Sequence, residues 1–361
     1  NGFPQFFGDD WNRTYAAFRL ESERFPGLTA KDGSYSKQEF IDLQRMGLEY
    51  GVRIIPEIDI PAHSLAFAHY KPEIASRKYG MDHLDLYKKE TYQFVDSLLD
   101  EYLSGDNPVF IGDLHIGTDE YNKKEAEQYR YFTDRYLKFV EKYGKNVRMW
   151  GGLKWLPGKT PVKAEGVTVN AWSYDWVDPV VSLQDGYKLI NTCDTYLYIV
   201  PAAGYYRDFL DHQWIYEKWS PWIMNRKQTL PEGTPGVLGG MFAVWNDKCG
   251  NGISEQDVHL RSFPAMQVLA EKLWKGENKN VTYEAFAKLC KTTPEAPGIN
   301  LLGKVPARNC TDRSRKELLL MGKRPSVLLC RKWVILIVWS SSSVRRRRIL
   351  SAAFSSKVRT R

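Results

Sequence analysis

The 361-residue sequence has no apolar run that approaches the ~18 residues needed to span a bilayer. Its longest candidate, Trp333 to Trp339, is less than half that length, so no transmembrane segment is expected. Cysteine is sparse. Cys193, Cys249, Cys290, Cys310 and Cys330 are scattered without a C-x-x-C pair, which argues against a zinc knuckle and a dense disulfide framework. No initiator Met, basic n-region or signal-peptide core occurs at Asn1, and no compartment can be read from that end. Apolar residues make up 43% of the chain, too many for a disordered protein and enough for a substantial core.

A strongly charged body is also lacking, although the net charge is +8. Residues 311–361 hold fourteen Lys and Arg, including Arg345 to Arg348, against Asp312 and Glu317. That surplus of twelve leaves the first 310 residues at −4, so nothing in the body favours a polyanion and no nucleic-acid partner is expected. Beyond Gly298 the hydrophobic pattern loses its period, and LLL, WVILIVW, SSSS and RRRR follow one another. The expected organisation is a folded unit over 1–290, a linker over 291–310 and a basic, disordered or non-native tail over 311–361.

From about residue 35 to 290, apolar β-rich runs alternate with segments of helical period, the pattern of repeated βα units on a parallel sheet. Strands are predicted at Val52–Asp59, Val109–Gly117, Asn146–Gly152, Val167–Trp172, Cys193–Val200 and Val237–Trp245. Helices are predicted at Ser36–Tyr50, Lys89–Leu103, Lys123–Tyr143, His212–Met224 and Glu255–Trp274. Ser36 with Glu39 three residues on is a capping-box pattern. Polar and aromatic residues gather at the carboxyl ends of these strands, where a (β/α)8 TIM barrel builds its site. Six strands are two short of eight, and the opening NGFPQFFGDDW reads as a loop leaving a strand. The expected fold is therefore a barrel lacking its first one or two strands.

The sharpest local feature is LHIGTDEYN, Leu114–Asn122. Adjacent carboxylates where a strand opens into a loop can reach different atoms of one substrate. Like charge and burial then push their proton affinities apart, leaving one an acid and the other ionised. Taken alone, Asp119-Glu120 is as well explained by a helix start complementing its dipole. His115 upstream and the strand-end tryptophans downstream favour a site. His63, His115 and Asp119 are possible metal ligands, but on a strand-to-loop path they need not converge, so neither metal nor cofactor is expected.

IIPEIDIPAH (Ile54–His63), HIGTDE (His115–Glu120), the strand-end tryptophans and AVWND (Ala243–Asp247), in that order, resemble glycoside hydrolase family 20, the β-N-acetylhexosaminidases. Thr118 stands where that family usually has Gly. DTYLYIVPAAGYY (Asp194–Tyr206) is similar to its lacto-N-biosidase branch. The resemblance implies hydrolysis, with retention, of terminal β-linked N-acetylhexosamine, the substrate's own 2-acetamido oxygen attacking the anomeric carbon. It implies Glu120 as general acid and base, Asp119 as acceptor of the acetamido N–H, and Tyr196 as donor to the acetamido oxygen. Tyr198 competes with Tyr196, because a strand turns alternate residues to opposite faces. Trp150, Trp172 and Trp245 would box in the sugar, and Asp247 would bind its hydroxyls. His63, His115 and Asp59 would form the polar network behind the acid.

Each residue also has a plainer explanation: core tryptophans, a wall tyrosine, a helix-capping Asp247, or loop-bracing carboxylates at Glu57 and Asp59. The implied partner is an oligosaccharide or glycoconjugate ending in β-GlcNAc or β-GalNAc, or in lacto-N-biose. A lacto-N-biosidase and a non-catalytic carbohydrate-binding remnant are the alternatives. Family members are secreted, periplasmic, surface-attached or lysosomal, and the residues select none of these.

Overall fold

The computed structural model describes residues 16–247, 253–277 and 280–293. Its strands are β1 (Glu57–Ile60), β2 (Ala75–Ser76), β3 (Gly80–Leu84), β4 (Leu114–Gly117), β5 (Val147–Trp150), β6 (Val167–Ala171), β7 (Lys188–Asn191), β8 (Tyr198–Ile199), β9 (Val237–Gly240) and β10 (Ala243–Val244). Between and after them run α1 (Lys37–Glu49), α2 (Leu65–Tyr70), α3 (Lys89–Leu103), α4 (Ala126–Glu141), α5 (Pro179–Gln184), α6 (Asp194–Leu197), α7 (His212–Glu217), α8 (Glu255–Lys275) and α9 (Tyr283–Thr292). The predicted boundary at 290/291 falls inside the last helix, Tyr283–Thr292, and the rest of the linker and the basic tail, from residue 294 on, lie outside the described residues.

Six strands form one sheet in the order β1-β4-β5-β6-β7-β9, every neighbouring pair parallel. β8 and β10 continue the β7 and β9 paths as a second parallel pair, Tyr198 opposite Ala243. β4, β5 and β6 are buried along their whole length, as expected for parallel strands covered on both faces. The fold is α/β, six strands of a (β/α)8 barrel.

The helices form where the periodicity places them, except that the predicted His212–Met224 is helical only over His212–Glu217 and ends at Lys218. Ser36 accepts from the Glu39 amide while the Glu39 carboxylate accepts from the Ser36 amide, so the capping box is present. α3 buries Phe94, Val95, Leu98, Leu99 and Tyr102, the three-and-four spacing of a core-facing stripe. α4 does the same with Tyr129, Phe132, Tyr136, Leu137 and Val140, and both stripes join one core with Ile116, Met149 and Val169 of the sheet. A smaller core gathers Ile215, Trp219, Val268, Leu269 and Phe286 around α7, α8 and α9. Among the described residues no helix is long and apolar enough to cross a membrane.

One predicted strand is corrected. Cys193–Val200 is not continuous: the sheet strand is the earlier Lys188–Asn191, a helical turn occupies Asp194–Leu197, and only Tyr198–Ile199 is extended. Thr192 and Asp194 donate their amides to Ala171 and Trp172 carbonyls, which turns the chain over the end of β6.

Candidate active site

The strand ends are in register. Ile60 is opposite Gly117, Trp150 opposite Asn170, and Asn191 opposite both Ala171 and Gly240. The residues just past them therefore share one rim.

The β4 exit is the most constrained. Gly117 has φ +71°, and a Cβ there would lie 1.7 Å from Asp59 Oδ1 and 2.6 Å from Asp59 Cα. Only glycine satisfies both the torsion and the close passage of β1. Thr118 follows at φ 76° and Glu120 at φ 48°, while His63 on the neighbouring loop has φ 52°. These are three of the four non-glycine residues with positive φ among the described residues, and such backbone is typical of functional rims. Thr118 is fully buried; its hydroxyl donates to the Trp150 carbonyl at 3.4 Å, and its own carbonyl accepts from Tyr129.

Asp119 and Glu120 are separated in environment. Asp119 is buried, and its Oδ1 has no hydrogen-bond partner. The Glu120 side chain keeps 48% of its surface exposed. His63 Nε2 bridges them, 3.1 Å from Glu120 Oε2 and 3.7 Å from Asp119 Oδ2. Burial, offset in part by the His63 charge, pushes Asp119 up to about 6. The hydrogen bond from His63 outweighs burial at Glu120 and holds it below the usual carboxylate range. Burial opposes the His63 imidazolium, but the Asp119 charge, the Glu120 hydrogen bond and the Asp59 charge raise it to about 10. The two proton affinities are driven apart as expected. Asp119, however, is the weaker acid and Glu120 the ionised partner of His63.

Asp59 lies behind this pair, with Oδ1 buried and unpartnered; burial and the Asp119 charge raise it well above the ordinary range. Ligand atoms of Asp59, His63 and Asp119 lie within 4.8 Å of one another, so these three, and not the His63–His115–Asp119 set weighed from sequence, could hold a cation. His115 is fully buried, accepts from the Gly117 amide through Nδ1 at 3.1 Å, and is kept neutral by burial.

The indoles converge on this rim. Trp150 donates from Nε1 to Glu57 Oε1 at 2.8 Å, and its ring centroid is 5.5 Å from that of Trp245. Glu57 is thus the carboxylate that orients Trp150. Trp172 donates to the Gly151 carbonyl at 2.8 Å and stacks at 7° on Tyr198 across 6.5 Å. Tyr198 also stands edge-on to Trp245 at 5.6 Å. Trp245 Nε1 is buried without a partner, and Asp247 accepts from the Tyr205 hydroxyl at 2.7 Å.

Tyr196 is not among them. It stacks on Trp214 at 4.4 Å, in the smaller core around α7 to α9. The helical turn Asp194–Leu197 replaces the expected alternation and carries Tyr196 away from the rim, so Tyr198 is the tyrosine facing Trp172 and Trp245. Burial and the Asp119 charge raise the Tyr198 phenol well above its ordinary range and keep it a donor. Sequence reasoning also missed His83, whose Nε2 is 3.3 Å from the Glu120 carbonyl while Nδ1 is held by Asp82 Oδ1 at 2.7 Å. The only signal for it was an adjacent acid and histidine in GMDHL.

Two carboxylates beside a cluster of indoles lie on the C-terminal rim of a parallel barrel sheet, the face on which barrel enzymes build their sites. Residues 14–277 match the glycosyl hydrolase family 20 catalytic domain, and the chain belongs to that family. It is 26% identical over 307 residues to a β-hexosaminidase subunit beta of Entamoeba histolytica, covering 72% of this chain and 52% of that one. A lacto-N-biosidase of Bifidobacterium bifidum is 22% identical over 277 residues, covering 69% and 24%. The β-N-acetylhexosaminidase structure from Bacteroides fragilis superposes with a TM-score of 0.59 at 20% identity, covering 76% and 60%, and shares the fold. The chain spans about half the length of the hexosaminidase relatives it matches.

Proposed function

We propose that this protein hydrolyses terminal β-linked N-acetylhexosamine with retention, using the substrate's 2-acetamido oxygen as nucleophile. The observation that supports this most is the buried Asp119 with an unpartnered Oδ1 beside the indole cluster. A buried orphan acceptor costs stability, about 1–3 kcal/mol, unless a ligand satisfies it. An acetamido N–H does so, and the carboxylate then stabilises the positive charge that develops as the amide attacks. Tyr198, in place of Tyr196, donates to the acetamido oxygen and holds it in line, the arrangement from which intramolecular attack draws high effective molarity.

Glu120 protonates the leaving oxygen and later activates water. Its proton is held on His63, 3.1 Å away. A sugar covering the half-exposed Glu120 strips it of water, which favours the neutral carboxylic acid and draws that proton across. Trp150, Trp172 and Trp245 wall the pocket, and Asp247, already held by Tyr205, binds sugar hydroxyls.

The similarity to a lacto-N-biosidase supports a second reading, release of a disaccharide. Turnover of an aryl β-GlcNAc glycoside against an aryl lacto-N-bioside separates the two. Cleavage of the disaccharide substrate alone sinks the first reading. Binding of GlcNAc with no turnover of either leaves a non-catalytic sugar-binding protein.

A further inference from the structure

Glu120 and His63 lie on different loops, and β3, which is outside the barrel sheet, is bonded to both. On one side its backbone carries the His63 loop. The Leu84 amide donates to the Pro61 carbonyl and the Asp82 carbonyl accepts from the Ser64 amide, each at 2.8 Å. On the other side the His83 side chain reaches the acid segment. Its Nε2 lies 3.3 Å from the Glu120 carbonyl, and a carbonyl only accepts, so the ring donates there. Asp82 Oδ1, 2.7 Å from Nδ1, orients the ring. Burial works against the Asp82 charge, but the bond from His83 outweighs it and holds that carboxyl below its ordinary range. The half-buried ring also packs on Tyr79 and Tyr121, with centroids 6.5 and 5.3 Å away.

The bond falls on a peptide that needs it. Glu120 has φ 48°, a left-handed torsion that a residue with a side chain adopts only at a cost. Relaxing that torsion swings the carboxylate away from His63 Nε2, which it meets at 3.1 Å. The hairpin of β2 and β3 has other fastenings. Tyr121 donates to the Leu84 carbonyl at 2.7 Å, and the buried Glu125 accepts from Lys78 at 2.7 Å and from Tyr79 and Tyr87 at 2.5 Å. Of these bonds between the hairpin and the segment leading into α4, that of His83 is the one that lands on Glu120 itself.

We propose that His83 is a positioning residue for the reaction. By holding the Glu120 peptide against the strand that also carries the His63 loop, it aims the Glu120 carboxyl at the leaving oxygen. This rests on Glu120 acting as the acid. Losing the His83 bond then harms those substrates whose leaving group needs the proton.

The test uses the full chain and two aryl β-GlcNAc glycosides. The phenyl glycoside needs a proton on its leaving oxygen, and the 3,4-dinitrophenyl glycoside scarcely does. His83→Phe keeps a ring against Tyr79 and Tyr121 but removes both nitrogens. On the phenyl glycoside it should lower kcat/KM about ten- to a hundredfold, with kcat falling and KM little changed. On the dinitrophenyl glycoside the loss should stay below about threefold. His83→Gln, whose amide still donates to the Glu120 carbonyl, should restore most of the lost rate. Equal losses on both substrates, or none on either, overturn the positioning role while leaving the proposed hydrolysis intact. His83→Leu repeats the measurement should the phenylalanine variant unfold, and unfolding of both makes the residue structural and overturns the assignment. An unmodified chain that cleaves neither glycoside overturns the proposed function and this inference together.

Discussion

Glu120 Oε2 stands 3.1 Å from His63 Nε2, so the carboxylate assigned to acid catalysis shares a hydrogen bond with a cation. The pairing stores a proton next to the group that must deliver it. Glu120→Gln keeps the shape and one hydrogen-bonding oxygen but cannot exchange a proton. We expect kcat on an aryl β-GlcNAc glycoside to fall about 10²- to 10⁴-fold. Binding of an oxazoline-type inhibitor, followed by calorimetry, should persist. Full activity of the variant would remove Glu120 from its role.

The proton ledger of the free protein sets the pH profile. Asp119 is raised to about 6, and only its ionised form can stabilise a positive acetamido group. The rate term kcat/KM reports free-enzyme groups, so it should climb as pH rises through about 6. The His63 charge lowers Asp119, and removing it with His63→Gln should move this acid limb to higher pH. A limb that stays in place would break the link between the two residues. Stability follows the opposite sign for His63: its contribution is present below its unfolded value and is lost as pH rises through about 10.

Tyr198 and Tyr196 are two residues apart and sit in different cores. Tyr198→Phe removes a donor beside Trp172 and Trp245 and should lower kcat/KM by about tenfold or more, the cost of a lost hydrogen bond at a developing charge. Tyr196→Phe keeps the stacking on Trp214 and should leave kcat/KM within about twofold, as for a change remote from the reacting atoms. Steady-state kinetics on both variants decides. The reverse ranking would restore the assignment expected from sequence.

At Gly117 the Asp59 backbone of β1 passes close against β4 at the rim. Gly117→Ala places a methyl on a left-handed backbone 1.7 Å from Asp59 Oδ1 and 2.6 Å from Asp59 Cα, and even if the carboxylate swings away the backbone atom cannot. Overpacking and torsional cost together should destabilise the fold by about 2 kcal/mol or more. Urea unfolding measures the loss, and an unchanged midpoint would contradict the described β1–β4 passage.

Much of the fold was legible because parallel buried strands write themselves as short apolar runs; LHIG and VRMW lie within the predicted segments. Asp119, Glu120 and His63 were legible because each follows such a run within a few residues, where the chain has little freedom. The Tyr196 assignment failed for a local reason. In CDTYLYIV every residue suits a strand, yet Asp194 to Leu197 close a helical turn that changes which face each tyrosine meets. His83 reaches Glu120 from a hairpin strand distant in sequence, and no spacing rule links them. The order of acidity was hidden as well, because it depends on which carboxylate the finished fold leaves half exposed.

The account turns on the substrate's amide acting as nucleophile, and a graded set of aryl glycosides tests it directly. Replacing N-acetyl by its mono-, di- and trifluoroacetyl analogues weakens the carbonyl oxygen stepwise and scarcely changes the ring. The account predicts that kcat/KM of the full chain falls steeply with each fluorine. A rate that holds level across the series would contradict it.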